Sequence, residues 1–279
     1  MKIALFGYGR MGRAVEHAAS PRGHEIGIRV DGPTVGDREA LAACDVGIDF
    51  SISEAVTRNV RRAADAGLPL VVGTTGWYDQ MEEVRSIVNT AGTALVWSPN
   101  FSIGVQLFFH LAREAARLVD TLEDYDIHVH ETHHRYKLDH PSGTARWVAD
   151  ILVNDIDRKK RWEFGVPAGE PNPETLFVTS ARVGEVPGIH EIGFDGVDDR
   201  VELRHIARSR DGFARGAVVA SEWLIGRTGV FTLDDWVRDR LTAREGDRAA
   251  TPDRRAPDGT PAHRAPGEAT FPAGIGDDE

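Results

Sequence analysis

KIALFGYGRMGRAVEHAA, residues 2–19, joins a short apolar run to a glycine turn and then to a helical pattern. Gly7, Gly9 and Gly12 stand in G-x-G-x-x-G spacing. In that spacing the first glycine allows a tight turn, the second lets backbone approach a diphosphate, and the third lets helix pack on strand. Met11, Ala14, Val15, Ala18 and Ala19 recur at helical intervals, so a helix opens inside the turn. Free N–H groups and the macrodipole at its start favour an anion. The stretch therefore predicts a dinucleotide over Gly7, Tyr8, Gly9, Arg10, Met11 and Gly12. The next apolar run, EIGIRVD, ends in Asp31, about twenty residues on, where a carboxylate takes a ribose hydroxyl pair.

Beyond this stretch, DVGIDFS (45–51), LPLVVGTTG (68–76) and TALVWSPN (93–100) read as further strands, with helical faces between them. Ser53 is expected to cap a helix reaching Ala66, and another helix covers roughly residues 79–90. Alternating strands and helices predict an α/β fold, a doubly wound parallel sheet of the Rossmann type. Ligands of such sheets bind beyond the carboxyl ends of the strands. Gly73, Thr74 and Thr75 after the fourth strand, and Ser98, Pro99, Asn100 and Phe101 after the fifth, are thus expected to face the nicotinamide half of a cofactor.

After Phe101 the texture changes. IGVQLFFHLAREAARLVD is a long amphipathic helix, DIHVHE (126–131) alternates as a strand, and SGTARWVADILVND reads as a capped helix. LFVTSARVGEVPG, HEIGFDG and DRVELRHIARS follow as clustered strands, which predicts a second, α+β domain on an antiparallel or mixed sheet. Helical patterns resume from Asp211. The expected organisation is a dinucleotide-binding domain over 1–102, completed by helices in 211–242, and a substrate-binding and oligomerisation domain over 103–210. Residues 243–279 contain no Leu or Val and are rich in Pro and Gly, so they are expected to be disordered.

A net charge of −11 argues against nucleic acid, whose phosphates need a basic face. It leaves room for a small anion held by local cations. No apolar run is long enough to cross a membrane, and MKIALFGYG reads as a first strand instead of a cleavable signal. The single cysteine, Cys44, reads as a buried structural thiol in a reducing cytoplasm. Trp77, Trp97 and Trp147 read as packing residues, and Asp234 and Asp235 as first-turn helix residues.

Residues 131–145, ETHHRYKLDHPSGTA, carry the chemistry. When a nicotinamide gives hydride to an electrophilic carbon, the acceptor must be protonated. An imidazole with an ordinary pKa of about 6.5 suits that general-acid role, and a lysine can donate a proton or attract carboxylates. Backbone N–H groups of Gly143 and Thr144, opening a helix, make a carboxylate site. Reduction of a small carboxylate-bearing substrate follows.

The set Glu131-x-His133-His134-x-x-Lys137-x-Asp139-x-Pro141-Ser142-Gly143-Thr144-Ala145, with GYGRMG, GTTGW (73–77), NFSIGV (100–105), EVPG (185–188) and SRDGFA (209–214) in order, strongly resembles the 4-hydroxy-tetrahydrodipicolinate reductases (dihydrodipicolinate reductases) of the diaminopimelate route to lysine. The resemblance runs from Lys2 to about Leu241. It implies that His133 and Lys137 are the proton-handling pair, that His134, Gly143 and Thr144 contact substrate, and that the glycine turn, Asp31, Gly73–Thr75 and Ser98–Phe101 contact NADH or NADPH. It also implies a homotetramer. Tyr136 stands where some members carry histidine, His140 where many carry alanine, and the glycine turn is one residue shorter than in some. Because Asp31 is followed by Gly32 and not by arginine, NADH is expected over NADPH, unless Arg10, Arg29 or Arg38 reaches the extra phosphate.

These residues admit three other readings. His128 and His130, which leave one strand face, could join His133 and His134 as zinc ligands of a metal-dependent hydrolase; that reading explains neither the glycine turn nor Lys137. A redox sensor binding NAD(H) without catalysis would have no need of His133 and Lys137. Another small-molecule reductase on the same scaffold would have no reason to carry HHxxKxDxPSGTA.

Overall fold

The computed structural model describes residues 1–32, 38–209 and 211–240; the segment read as a disordered tail, 243–279, lies outside them. The apolar runs of the first hundred residues form β1 (Lys2–Phe6), β2 (Glu25–Val30), β3 (Val46–Asp49), β4 (Leu70–Val72) and β5 (Ala94–Trp97). All pair in parallel, in the order β2-β1-β3-β4-β5. A sixth strand, β11 (Gly229–Thr232), adds in parallel to β5. Strand order reverses at β1, between β2 and β3, which opens a crevice at the carboxyl edge there.

Helices cover both faces. On one side α1 (Arg10–Ala19) and α7 (Asp211–Leu224) lie over the sheet, burying Val15 and Ala19 with Ala214, Ala217, Val218 and Leu224 against Ile3, Leu5, Val71 and Val96. Arg22 clamps Glu222 of α7 through two hydrogen bonds of 2.6 and 2.7 Å, so the helical return is tied to the start of the chain. On the other side α2 (Arg38–Ala42), α3 (Val56–Asp65) and α4 (Met81–Ala91) bury Leu41, Val56, Val60, Val84 and Val88 against Phe6, Leu70 and Leu95.

The second sheet is mixed, in the order β10-β9-β6-β8-β7. Its strands are β6 (Asp126–His133), β7 (Arg161–Phe164), β8 (Thr175–Arg182), β9 (Ile189–Asp195) and β10 (Arg200–Ile206). β6 runs parallel to β8 and antiparallel to β9. Two helices, α5 (Ile103–Asp120) and α6 (Gly143–Asp155), cover one face, packing Phe108, Ala112, Val148 and Leu152 on Ile127, Val129, Val178 and Ile192. Strand alternation places Glu131 and His133 on the buried side of β6 and His128 and His130 on the other.

Several expectations need correction. Ser53 does not cap α3: it lies inside a 3₁₀ turn, Ser53–Ala55, whose cap is Ile52 without a side-chain bond. β7 and β11 are strands that no sequence pattern predicts. Cys44 is only partly buried, though burial still raises its thiol pKa. Trp147 is partly exposed, stacked on Phe109 at 5.9 Å.

Candidate active site

The glycine turn has the geometry its spacing demands. Gly7 has φ +85°, and a Cβ there would stand 2.7 Å from the Phe50 carbonyl oxygen. A Cβ on Gly12 would stand 2.3 Å from the carbonyl oxygen of Gly7. At Gly9 the corresponding space is open within 4 Å, directly before the N-terminus of α1. Beside it lies a cavity of about 390 Å³ lined by Gly7, Tyr8, Gly9, Asp31, Phe50 and Arg58. Arg29 does not enter it as a free cation, because it pairs with Glu16 and lies over the Tyr8 ring.

Along the sheet edge the loops after β3 and β4 are fastened by one buried carboxylate. Asp49 accepts from Ser51 N–H and Oγ at 2.8 and 2.7 Å, from Asn59 Nδ2 at 2.8 Å and from Thr74 Oγ1 at 2.8 Å. Trp77 Nε1 donates to the Thr74 carbonyl, and Thr75 lines the adjoining cavity with Gly73 and Met11. Ser98 Oγ bonds the Asn100 carbonyl at 2.8 Å, and Phe101 meets Phe50 edge-on. The trough therefore runs from Asp31 past Met11 and Gly73 to Pro99.

The far end of the trough is built from β6, the loop after it and α6. Ser142 caps α6 by accepting from Ala145 N–H at 3.2 Å, leaving the N–H groups of Gly143 and Thr144 at an open helix start. Asn100 Nδ2 donates to Thr144 Oγ1 at 3.2 Å, which joins the two sheets' loops. Lys137 Nζ pairs with Asp139 at 2.8 Å. Burial alone would raise the Asp139 carboxyl, but the bond and charge of Lys137 outweigh it and hold the carboxyl below its usual range. Arg182 donates to the carbonyls of Lys137 and Asp139 at 3.2 and 2.6 Å, stapling that loop to β8. His133 is buried, and burial pulls its imidazole down to about 4, the carboxylate of Glu131 opposing that shift.

One cleft of about 360 Å³ brings both ends together: Met11, Gly73, Pro99 and Phe101 on one wall, His133, His134 and Lys137 on the other. Residues to which the motifs assign no individual role also sit here. Phe213 and Pro187 line the cleft, Arg58 lines the cavity beside Asp31, and Glu131 underlies His133 at 3.4 Å. Asp49 and Phe50 belong to the DFS end of β3, and the strand-end rule could have found them; Phe213 and Pro187 stand in the SRDGFA and EVPG motifs, which gave the resemblance but no individual role.

The four histidines of the zinc reading do not come together. His128 and His130 lie on the face opposite His133; His130 bonds Thr179 and Thr132, and His128 meets Arg200 at 3.2 Å. Among the described residues, Glu131, His133 and His190 converge closely enough to hold an ion. Arg182 already places a guanidinium 2.9 Å from that carboxylate.

A glycine turn beneath a helix start, an acidic residue closing the second strand, and a trough leading from both to imidazoles and an ammonium group define a pyridine-nucleotide-dependent oxidoreductase. Comparison with known proteins gives the family. The model of the dihydrodipicolinate reductase N-terminus matches residues 1–101, and that of its C-terminus residues 104–237. A 4-hydroxy-tetrahydrodipicolinate reductase from Christiangramia forsetii is 37% identical over 239 residues, covering 86% of this chain and 98% of its own length. Another, from Methanopyrus kandleri, is 38% identical over 215 residues, covering 76% and 77%. The chain belongs to the 4-hydroxy-tetrahydrodipicolinate reductase family. Its fold is shared with a dipicolinate-bound dihydrodipicolinate reductase from Paenisporosarcina sp. TG-14, at TM-score 0.69 and 21% identity over 83% of this chain and 97% of that one.

Proposed function

We propose that this chain reduces (2S,4S)-4-hydroxy-2,3,4,5-tetrahydrodipicolinate to tetrahydrodipicolinate with loss of water, on the diaminopimelate route to lysine. The observation that carries the reading is the single cleft shared by Met11, Gly73, Pro99 and Phe101 with His133, His134 and Lys137. The open space at Gly9, the cavity at Asp31 and the α1 N-terminus fit a dinucleotide. Gly7–Gly12, Asp31, Gly73–Thr75 and Ser98–Phe101 would hold it, and the nicotinamide would supply hydride. His134 and the Gly143 and Thr144 N–H groups hold the substrate's carboxylates. His133 and Lys137 manage protons as the hydroxyl leaves as water and the ring carbon is reduced. A dicarboxylate ligand is in keeping with the dipicolinate bound by the Paenisporosarcina relative.

NADH is the preferred cofactor in this reading, because the Asp31 carboxylate repels a 2′-phosphate. The enzyme is read as cytoplasmic and as a homotetramer assembled through residues 103–210. In the single chain α5 presents Leu107, Leu111 and Leu118 to solvent, and β10 presents Val201 and Ile206, apolar area that assembly would remove from water. Light scattering should then give four times the 30.6 kDa chain mass; a monomer would sink the assembly.

The decisive assay supplies freshly made dihydrodipicolinate synthase product and follows loss of nicotinamide absorbance with each cofactor. His133→Ala and Lys137→Ala should each lower turnover by ~10²-fold or more while leaving NADH affinity nearly unchanged. Near wild-type turnover in both variants would overturn the assignments.

A further inference from the structure

Glu131 has no part in the scheme above, yet it is fully buried where every element of the substrate end meets. Its Oε1 is saturated, accepting from Ser142 N–H at 3.0 Å, Arg182 at 2.9 Å and Ser180 Oγ at 2.5 Å. Its Oε2 is buried without a hydrogen-bond partner, and so is Nδ1 of His133. These two orphans face each other at 3.4 Å, with His190 Nε2 at 3.6 Å from the same oxygen. A carboxylate oxygen and an imidazole nitrogen left unpaired out of water are each costly, and a shift of a few tenths of an ångström pairs them within ordinary hydrogen-bond length. The other ring nitrogen of His133 lies against the Gly188 backbone, 3.0 Å from where a Cβ on that glycine would stand, in the loop whose Pro187 lines the cleft.

We propose that Glu131 is the positioning residue of this site. It accepts a hydrogen bond from Nδ1–H of His133 and so fixes the tautomer whose Nε2 serves the cleft, while through Ser142 it holds the N-terminus of α6 in register with that imidazole. The inference rests on the reading of His133 as the acid–base group. The same arrangement recurs wherever a carboxylate holds a histidine in one tautomer for proton transfer.

The charged and titratable groups around His133 are Glu131 on its own strand, Arg182 on β8, His190 on β9 and Lys137 in the following loop. Of these only Glu131 favours the imidazolium. Its carboxylate is itself held far below its usual range: burial would raise it, but the bonds from Ser142, Ser180 and Arg182 and the neighbouring His190 outweigh that. It therefore stays charged throughout the working range of pH.

The test uses the intact protein, ligand-free for the spectroscopy, where His133 is neutral near pH 7. Nitrogen NMR of histidine-labelled wild type should show neutral His133 protonated at Nδ1. Glu131→Gln should lose that preference, lower kcat by ~10²-fold with KM values changed less than about threefold, and move the alkaline limb of the kcat profile to lower pH. Glu131→Asp should recover part of the rate. A wild-type His133 protonated at Nε2 overturns the proposal without any variant, as does Glu131→Gln with an unmoved pH limb. His133→Gln, run in parallel, separates the claims. If it retains turnover, the acid–base reading fails, and the tautomer still decides on Glu131. If it collapses while Glu131→Gln does not, the positioning role alone is lost.

Discussion

Burial at His133 creates a mismatch with its proposed work, since an imidazole pulled down to about 4 carries no charge in the ligand-free protein near neutral pH. Two carboxylates arriving beside it favour the charged form and raise its pKa. Binding should therefore take up a proton: below the free-protein value both states are charged, and between the free and bound values only the complex is. We expect calorimetry of dipicolinate binding at pH 7, repeated in buffers of different ionisation heat, to show net uptake that shrinks in His133→Gln; zero uptake in the wild type would refute the coupling. A second expectation concerns the cofactor end. Asp31 and Arg58 line one cavity and oppose each other in sign, so Asp31→Ala should narrow the gap between NADH and NADPH in kcat/KM. Arg58→Ala should weaken NADPH more than NADH, by up to ~10-fold for one exposed charge contact. An equal loss for both cofactors would place Arg58 away from the ribose.

At the scale of elements, legibility followed local chemistry. α6 begins at the capped start read for it, because Ser142 accepts the N–H three residues on, and α5 spans the amphipathic run from Ile103, with Ser102 capping it in the same way. The five strands of the first hundred residues were legible because each is an apolar run bounded by turns. β7, RWEF, and β11, GVFT, were not: both are four-residue edge strands whose partners lie elsewhere in the chain, so neither carries an alternation long enough to read. Ser53 misled because its type suits a cap while the backbone there starts a 3₁₀ turn one residue earlier. Nor did the pattern of α7 reveal its closest approach. A Cβ on Gly216 would stand 1.7 Å from the carbonyl oxygen of Phe101, so that helix rests directly on the loop that walls the cleft. Gly216→Ala should cost ~2 kcal/mol or more through overpacking, lowering the thermal midpoint by ~4–8 °C for a chain this size, and should raise the KM for cofactor as the 98–101 loop yields. A midpoint within experimental error of wild type would show that α7 shifts freely.

For the whole molecule, the chain crosses between the two sheets twice, from β5 into α5 and from β10 into α7, and the cleft lies where those crossings meet the loop after β6. Its walls come from positions as distant as Met11, His134 and Phe213, which is why the motifs were legible one at a time while their assembly was not. The walls already touch through Asn100 and Thr144 at 3.2 Å. Hydride transfer demands close alignment and exclusion of water, so cofactor and dicarboxylate together should draw the walls in further than either can alone. We therefore expect amide exchange in residues 98–104 and 133–145 to slow with NADH or dipicolinate separately, and to slow by more than the combined effect when both are present. Asn100→Ala should reduce that excess protection while leaving each single-ligand effect in place. Protection that merely adds would mean that the cleft is already in its working form, and that catalysis proceeds without closure.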